Sequence, residues 1–514
     1  MDIQKSKLNV SVSVLFRLLM LAGSILVRRF LIRYIGNGVN GLDSLYVSLI
    51  GFLSVAELGV GTAITFCMYK PIVDGDGNKV AALYQLFAKT YRVIAAVMFA
   101  AGLLLIPFLP HLAKDYAELD VNLGVTFLLM LVSVVISYAF SAKTSLINAY
   151  KNNYVTTTIS SVGMLVQYGL QIAAILVTRS FSVYLICRTA AMLLQWAATE
   201  RYARRHHPDI LHHARETVDA DTRQEILGKV KALFMHRVGG ILVNSADSMI
   251  ISAMIGVVVL GKYSNYATVA VSMSSVIALA FTPLTSVIGH AYVAEKEKAE
   301  LYFRRFYFLN FALGVVFFFG YYAVIDDLVR ILFGDHLELS RSVSFIITVN
   351  YFIQFMRQAT LLFRDATGTF YHDRWKPLFE GGLNVLLSIL FLKQFTAVGG
   401  EEFGVVGVIA ATIVTNLTIC HVIEPLVLYK HAFGAPVRRH MIRNYFYMAV
   451  FIGALLLLSR CMQTNANTWL ELLINGGISV GFSAGTVALI ALADPDARRS
   501  LFGWLRHRGS AVRL

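Results

Sequence analysis

The chain has 514 residues, of which 57% are hydrophobic and 15% charged, with a net charge of +14. A soluble protein carries about 25% charge, so the composition excludes an ordinary water-soluble protein and points to an all-α polytopic membrane protein. A transmembrane β-barrel is excluded as well, because its short alternating segments are absent.

Apolar runs of roughly 20 residues are each long enough to cross a bilayer. About fourteen are present, near 12–35, 43–68, 84–109, 122–148, 154–178, 182–203, 231–256, 262–288, 303–325, 341–369, 377–397, 404–429, 443–463 and 468–493. The first is too long and too rich in arginine for a cleavable signal, so it is read as a retained span. An even number of spans puts both termini on one side. Lys5, Lys70, Lys79, Lys151, Arg201, Arg204, Arg205, Lys296, Arg374, Lys376, Arg438 and the arginines of the tail share one set of connections. The opposite connections are short and hold Asp115, Glu118, Asp326, Asp335, Glu401 and Glu402. The positive-inside rule then makes both termini cytoplasmic. The positive charge reads as topology and contact with anionic headgroups, with no nucleic-acid partner.

Cys67, Cys187, Cys420 and Cys461 lie in or beside apolar runs, have no metal spacing, and read as small hydrophobes. The longest connection, 204–228, carries His206, His207, His212 and His213. No cysteine or carboxylate pattern frames them, so an exposed linker is preferred to a metal site. The linker divides the chain into an N-lobe of six spans (1–204), the linker itself (205–228), a C-lobe of six spans (229–430), and two last spans with a basic tail (431–514). The lobes echo one another. At a shift of about 220 residues Gly36 meets Gly256, Gly41 meets Gly261, Ser44 meets Ser264 and Tyr46 meets Tyr266. Both lobes begin on the same side, so the repeat is parallel, with its axis along the membrane normal. Pro283 is expected to kink the eighth span.

Several spans carry polar stripes. Arg17 and Arg28 share a face of the first with Ser13 and Ser24. In the seventh, Arg237, Asn244 and Ser248 share a face with Asp247 beside them, and in the tenth Asn350, Arg357 and Arg364 recur at sevens. A charge at the bilayer centre costs about 2.5–3.5 kcal/mol, so these stripes read as the lining of a hydrated, cationic cavity. Snorkelling to the surface is the competing reading for Arg17 and Arg364. A guanidinium grips phosphate oxygens with two donors and stays charged. Arg17, Arg28, Arg237, Arg357, Arg364, Asn244 and Asn350 are therefore the substrate-binding candidates, for an anionic cargo such as a diphosphate. Asp247, Glu57 and Glu424 are candidates for a coupling H⁺ or Na⁺, with a structural ion pair or helix-end contact as the plainer role of the last two. Neither a catalytic residue, a metal nor a cofactor is expected.

The stretches AELGVGTAITFCMYKPIVDGD (56–76), NSADSMIISAMIG and LGKYSNY (244–266), DATGTFYHDRWKPLFEGGLNVLLSI (365–389) and EPLVLYKHAF (424–433) resemble bacterial polysaccharide flippases. These are the Wzx-like exporters of the multidrug/oligosaccharidyl-lipid/polysaccharide superfamily. The resemblance runs through nearly the whole chain. It implies two pseudo-symmetric six-helix bundles plus two C-terminal helices, and movement of a polyprenyl-diphosphate-linked oligosaccharide between leaflets, in company with polysaccharide polymerase or assembly proteins. By the same analogy Arg17, Arg28, Arg237 and Arg357 contact diphosphate or sugar, and spans thirteen and fourteen hold the prenyl tail. Gly476, Gly477, Gly481 and Gly485 would then permit close helix or lipid approach. One departure is the insertion QFTAVGGEEFG after the eleventh span, expected to be an outer loop.

Two other classes compete. A cation-coupled drug antiporter of similar architecture resembles this chain but uses an acid in its first helix or lobe cavity. Here no acid stands between Asp2 and Asp43, and Arg17, Arg28, Arg29 and Arg33 stand there instead. A membrane glycan polymerase or glycosyltransferase would need a large outer domain, and the outer connections are short.

Overall fold

A computed structural model describes residues 3–57, 60–212, 245–281, 284–462 and 469–499, with short pieces between 218 and 230. The described residues are helical almost throughout, with no strand among them. They form two compact units, Met1–Gly261 and Lys262–Leu514. Nine helices among the described residues are long and apolar enough to cross a membrane.

The first unit begins with α1 (Ile3–Tyr34), α2 (Asn37–Leu53) and α3 (Val60–Asp74). It continues through α4 (Gly77–Leu105), α5 (Leu123–Ala149), α6 (Asn153–Thr178) and α7 (Phe181–His206). A helical stretch over 245–254 leads into α8 (Val257–Phe281). Side chains fix where some helices start. The Asp76 carboxylate accepts from the Lys79 amide at 2.9 Å, and the Asn122 amide oxygen accepts from the Val125 amide at 3.0 Å. Each satisfies a donor that the first helical turn leaves without a partner.

The internal repeat is visible bond for bond. At the end of α1 the amides of Ile35 and Gly36 both donate to Leu31 O, and the amides of Ile255 and Gly256 both donate to Ile251 O. Gly36 (φ 127°) and Gly256 (φ 151°) turn the chain in the left-handed half of the backbone map, where a side chain is strained. A helix starts immediately after each. The two starts then touch: Asn37 Nδ2 donates to Val258 O at 2.8 Å, and Asn40 Nδ2 donates to Gly261 O at 3.1 Å. A Cβ on Gly41 would lie 1.8 Å from Val257 O, and one on Gly261 would lie 2.4 Å from Asn37 O. The contact is reciprocal, with the glycine of each repeat against the first residue of the other helix. Tyr46 and Tyr266 match in the same way. The Tyr46 hydroxyl meets Thr126 at the start of α5, while the Tyr266 hydroxyl meets Ser344 near the start of the corresponding later helix.

Most of the second unit lies beyond α8. It contains α9 (Leu284–Ala294), α10 (Ala299–Phe333), α11 (Arg341–Thr367) and α12 (Lys376–Gly399). A long helix, α13 (Glu401–Phe433), is followed by α14 (Arg438–Cys461) and α15 (Trp469–Ala493). Its core is aromatic. Phe303, Tyr307, Phe311, Phe318 and Phe319 all lie on the buried face of α10. Phe352 and Phe451 stack with centroids 3.5 Å apart. In a membrane such packing, rather than exclusion of water, holds helices together.

Three expectations are corrected. The span expected at 43–68 is interrupted, breaking into α2 and α3 around the 3₁₀ turn Ser54–Glu57. Pro283 and most of the span expected at 231–256 lie outside the described residues. The segment 394–404 is not an extended loop: α12 runs to Gly399 and α13 starts at Glu401, with Gly400 (φ 79°) alone between them. An added Cβ on Gly476, Gly477, Gly481 or Gly485 meets no atom within 4 Å, so these glycines mediate no close helix contact among the described residues.

The Gly41 contact gives a stability prediction. Gly41→Val must push apart two backbones, at a cost of about 1–3 kcal/mol. Thermal unfolding in detergent should show a lowered midpoint for Gly41→Val, while Gly477→Ala, with open space around it, leaves the midpoint in place.

Candidate functional site

Hydrophobic helices tolerate charges only in satisfied groups, and the second unit contains such a group. Arg357 projects from the middle of α11. Lys376 and Glu380 lie one turn apart at the start of α12. Glu424 comes from α13, just beyond a π-helical turn at Asn416–Cys420. Arg357 grips Glu424 with two donors, Nη2 to Oε1 at 2.6 Å and Nε to Oε2 at 3.3 Å. Its Nη1 reaches Glu380 at 3.2 Å and the Asn416 amide oxygen at 2.7 Å. Lys376 Nζ closes the ring, 2.5 Å from Glu424 and 2.8 Å from Glu380. Two cations face two carboxylates, and the Glu424 side chain is 1% exposed. The π turn adds a residue to the helix and so re-aims the residues beyond it. Asn416 is fixed in turn by donating to Thr412 O at 2.9 Å, and the His421 ring meets Ile353 O at 3.0 Å.

The stripe at sevens on α11 is real, and carboxylates answer it. Two turns beyond Arg357, Arg364 Nη1 contacts Asp373 at 2.9 Å and its Nη2 contacts Asp365 at 3.0 Å. Two turns before it, buried Asn350 accepts from Gln354 at 3.1 Å. The carboxylate of Asp373 is fully buried, which holds the 369–375 turn against the end of α11.

The first unit has a smaller charged group. Arg28 of α1 and Arg188 of α7 both act on Asp43 of α2, with Arg188 Nη1 4.0 Å from Asp43 Oδ1. Tyr184 stands within range of all three. Two guanidiniums thus act on the one carboxylate of Asp43. Gly23 lets α1 approach α6: a Cβ there would lie 2.5 Å from the Tyr168 ring. Elsewhere in the unit Lys143 pairs with Glu200 at 2.5 Å, and the Tyr91 hydroxyl donates to Glu57 at 2.7 Å beside the break between α2 and α3.

The remaining candidates are placed by their elements. Asp247 is half-buried on the helical stretch over 245–254. The backbone of Arg17 belongs to α1, and Arg237 and Asn244 lie outside the described residues. Arg28 and Arg357 therefore belong to separate groups, the first around Asp43 and the second around Glu424. The sequence reading missed Asp43 as the carboxylate on which Arg28 and Arg188 both act. It also placed Lys376 on an exposed cytoplasmic flank, whereas the side chain is 3% exposed. The signal available was the i,i+4 spacing of Lys376 and Glu380 ahead of an apolar run.

No protein-family model matches the chain, and no curated protein matches it. Solved structures do. The lipid II flippase MurJ in an inward closed conformation superposes with a TM-score of 0.59 at 11% identity, over 94% of this chain and 99% of that one. A multidrug resistance MATE family transporter of the MOP superfamily, inward-facing, gives 0.55 at 15% identity, over 86% of this chain and 98% of that one. The protein is an all-α polytopic membrane protein, and its fold is the one these two proteins share.

The ring around Glu424 predicts a specific pattern of instability. Glu424→Gln leaves Arg357 and Lys376 with one carboxylate between them, and breaking a buried pair costs about 3–5 kcal/mol. The unfolding midpoint should fall sharply. Lys376→Met added to Glu424→Gln restores the charge balance and should recover part of the loss. An unchanged midpoint in the single variant would show that water, rather than protein, balances the ring.

Proposed function

We propose that the protein is a flippase that carries a polyprenyl-diphosphate-linked oligosaccharide across the bacterial cytoplasmic membrane by alternating access, for cell-surface polysaccharide assembly. The observation that carries this reading is a cluster of guanidiniums among the helices of the first unit, with Arg188 4.0 Å from Asp43 and Arg28 acting on the same carboxylate. Guanidiniums inside a helical membrane protein suit a cargo that is anionic throughout its crossing. A diphosphate offers such a charge, and a guanidinium binds it through two parallel donors. The fold supports the reading, since a lipid II flippase shares it.

The acids argue against an organic cation as cargo. Asp43 faces two arginines, and Glu424 is held by Arg357 and Lys376. Neither carboxylate stands ready for a cationic substrate. In this reading the coupling H⁺ or Na⁺ acts at Asp247 or Glu57, and both termini are cytoplasmic. No covalent chemistry is involved, and polysaccharide polymerase or assembly proteins receive the product.

Translocation of a fluorescent polyprenyl-diphosphate oligosaccharide into proteoliposomes tests the proposal. Wild-type protein should move the lipid. Arg28→Ala and Arg188→Ala should each lower the rate by about tenfold or more, the value of one lost charge-assisted contact, while inserting normally. Movement of small organic cations without movement of the glycolipid would replace this reading with an antiporter.

A further inference from the structure

One groove lies outside both charged groups. Where α6 begins and α7 ends, the two helices leave a cavity of about 420 Å³ whose lining includes Tyr154, Thr158, Ile159, Arg201, Tyr202 and Arg205. Its floor is apolar and its rim is cationic. Arg201 and Arg205 are one turn apart on α7, both exposed. The nearby acid is committed elsewhere, since Glu200 pairs with Lys143 and Arg204. Among the described residues no carboxylate lines the groove. His206 stacks on Tyr202 with centroids 4.0 Å apart, and its Nδ1 meets Tyr202 O at 3.0 Å, so the far wall is fixed.

The surrounding faces say what the groove meets. Both helices are apolar enough to span a membrane. Their outward residues include Tyr154 at 64% exposure, Val162 at 46% and Leu194 at 56%. Such a face lies against hydrocarbon, with the tyrosines and arginines at the level where headgroups begin. Two guanidiniums one turn apart, above an apolar floor, complement a phosphodiester attached to acyl chains. The phosphate would sit between Arg201 and Arg205, with the tyrosine and threonine hydroxyls at its edge. The glycerol and the first acyl carbons would cover Val155, Ile159 and Ala198, the apolar part of the lining.

We propose that this groove is a binding site for one anionic phospholipid of the bilayer. It is separate from the cargo site: Arg28 and Arg188 take no part in it.

The test uses the purified full-length protein in nanodiscs of phosphatidylglycerol and phosphatidylcholine, with retained lipid counted by native mass spectrometry after mild detergent release. Wild type should retain one phosphatidylglycerol that phosphatidylcholine does not replace. Arg201→Ala/Arg205→Ala should weaken its retention by roughly thirtyfold, the effect of two cations at a membrane surface. Arg201→Lys/Arg205→Lys should keep most of it, which separates loss of charge from loss of fold. Equal retention by wild type and the double alanine variant would overturn the site. So would displacement of the lipid by inorganic pyrophosphate at equal concentration, which would mark the groove as a site for free anions. Selective retention of a polyprenyl diphosphate in place of phosphatidylglycerol would overturn it as well, in favour of cargo capture.

Discussion

A carboxylate deep among apolar helices stays ionised only if cations surround it, and the second unit is built around that requirement at Glu424. Removing two charges from water costs several kcal/mol per ion, and their mutual attraction repays this only with good geometry and further hydrogen bonds. Glu424 has both: a two-donor grip from Arg357, a short contact with Lys376, and Asn416 and Glu380 taking the remaining donors of Arg357. Because the four charged groups come from α11, α12 and α13, the ring fixes the rotation of three helices at once. Aromatic packing along α10 and α14 supplies bulk contact but no comparable specificity of register.

The first unit applies the same physics at a smaller group, where Arg28 and Arg188 act on the carboxylate of Asp43. Close backbone approach at Gly41 and Gly261 positions this unit, with the Asn37 and Asn40 amides bonding across the same contact.

Much of this architecture was legible in the sequence, and the exceptions have physical causes. The helical character of the spans and their order are set by hydropathy, since backbone in lipid must be helical. The repeat was visible because Gly36, Gly41, Gly256 and Gly261 are demanded by backbone geometry, which tolerates little else. The α11 stripe was visible because helical spacing is local. Its partners were not, because Glu380, Asn416 and Glu424 meet Arg357 only through tertiary packing. Lys376 misled because its neighbours Arg374 and Trp375 read as a membrane flank, whereas Glu380 one turn on draws its amine inward. The 394–404 segment misled for a related reason: glycines and acids suggest a loop, yet Gly400 alone makes the turn. Nor could the break between α2 and α3 be read from hydropathy, which is continuous across it.

The two π-helical turns in α13, Asn416–Cys420 and Tyr429–Phe433, bracket the eight-residue block His421–Leu428 that carries Glu424. Each turn is a register defect holding one surplus residue. If one defect closes while the other widens, the ends of α13 stay where they are, but the block between them advances by one residue, turning by about 100° and sliding by about 1.5 Å. Glu424 would then leave Arg357 and Lys376, and a different side chain would face them. The two π turns thus mark the points between which a change of register would exchange the partners of Glu424.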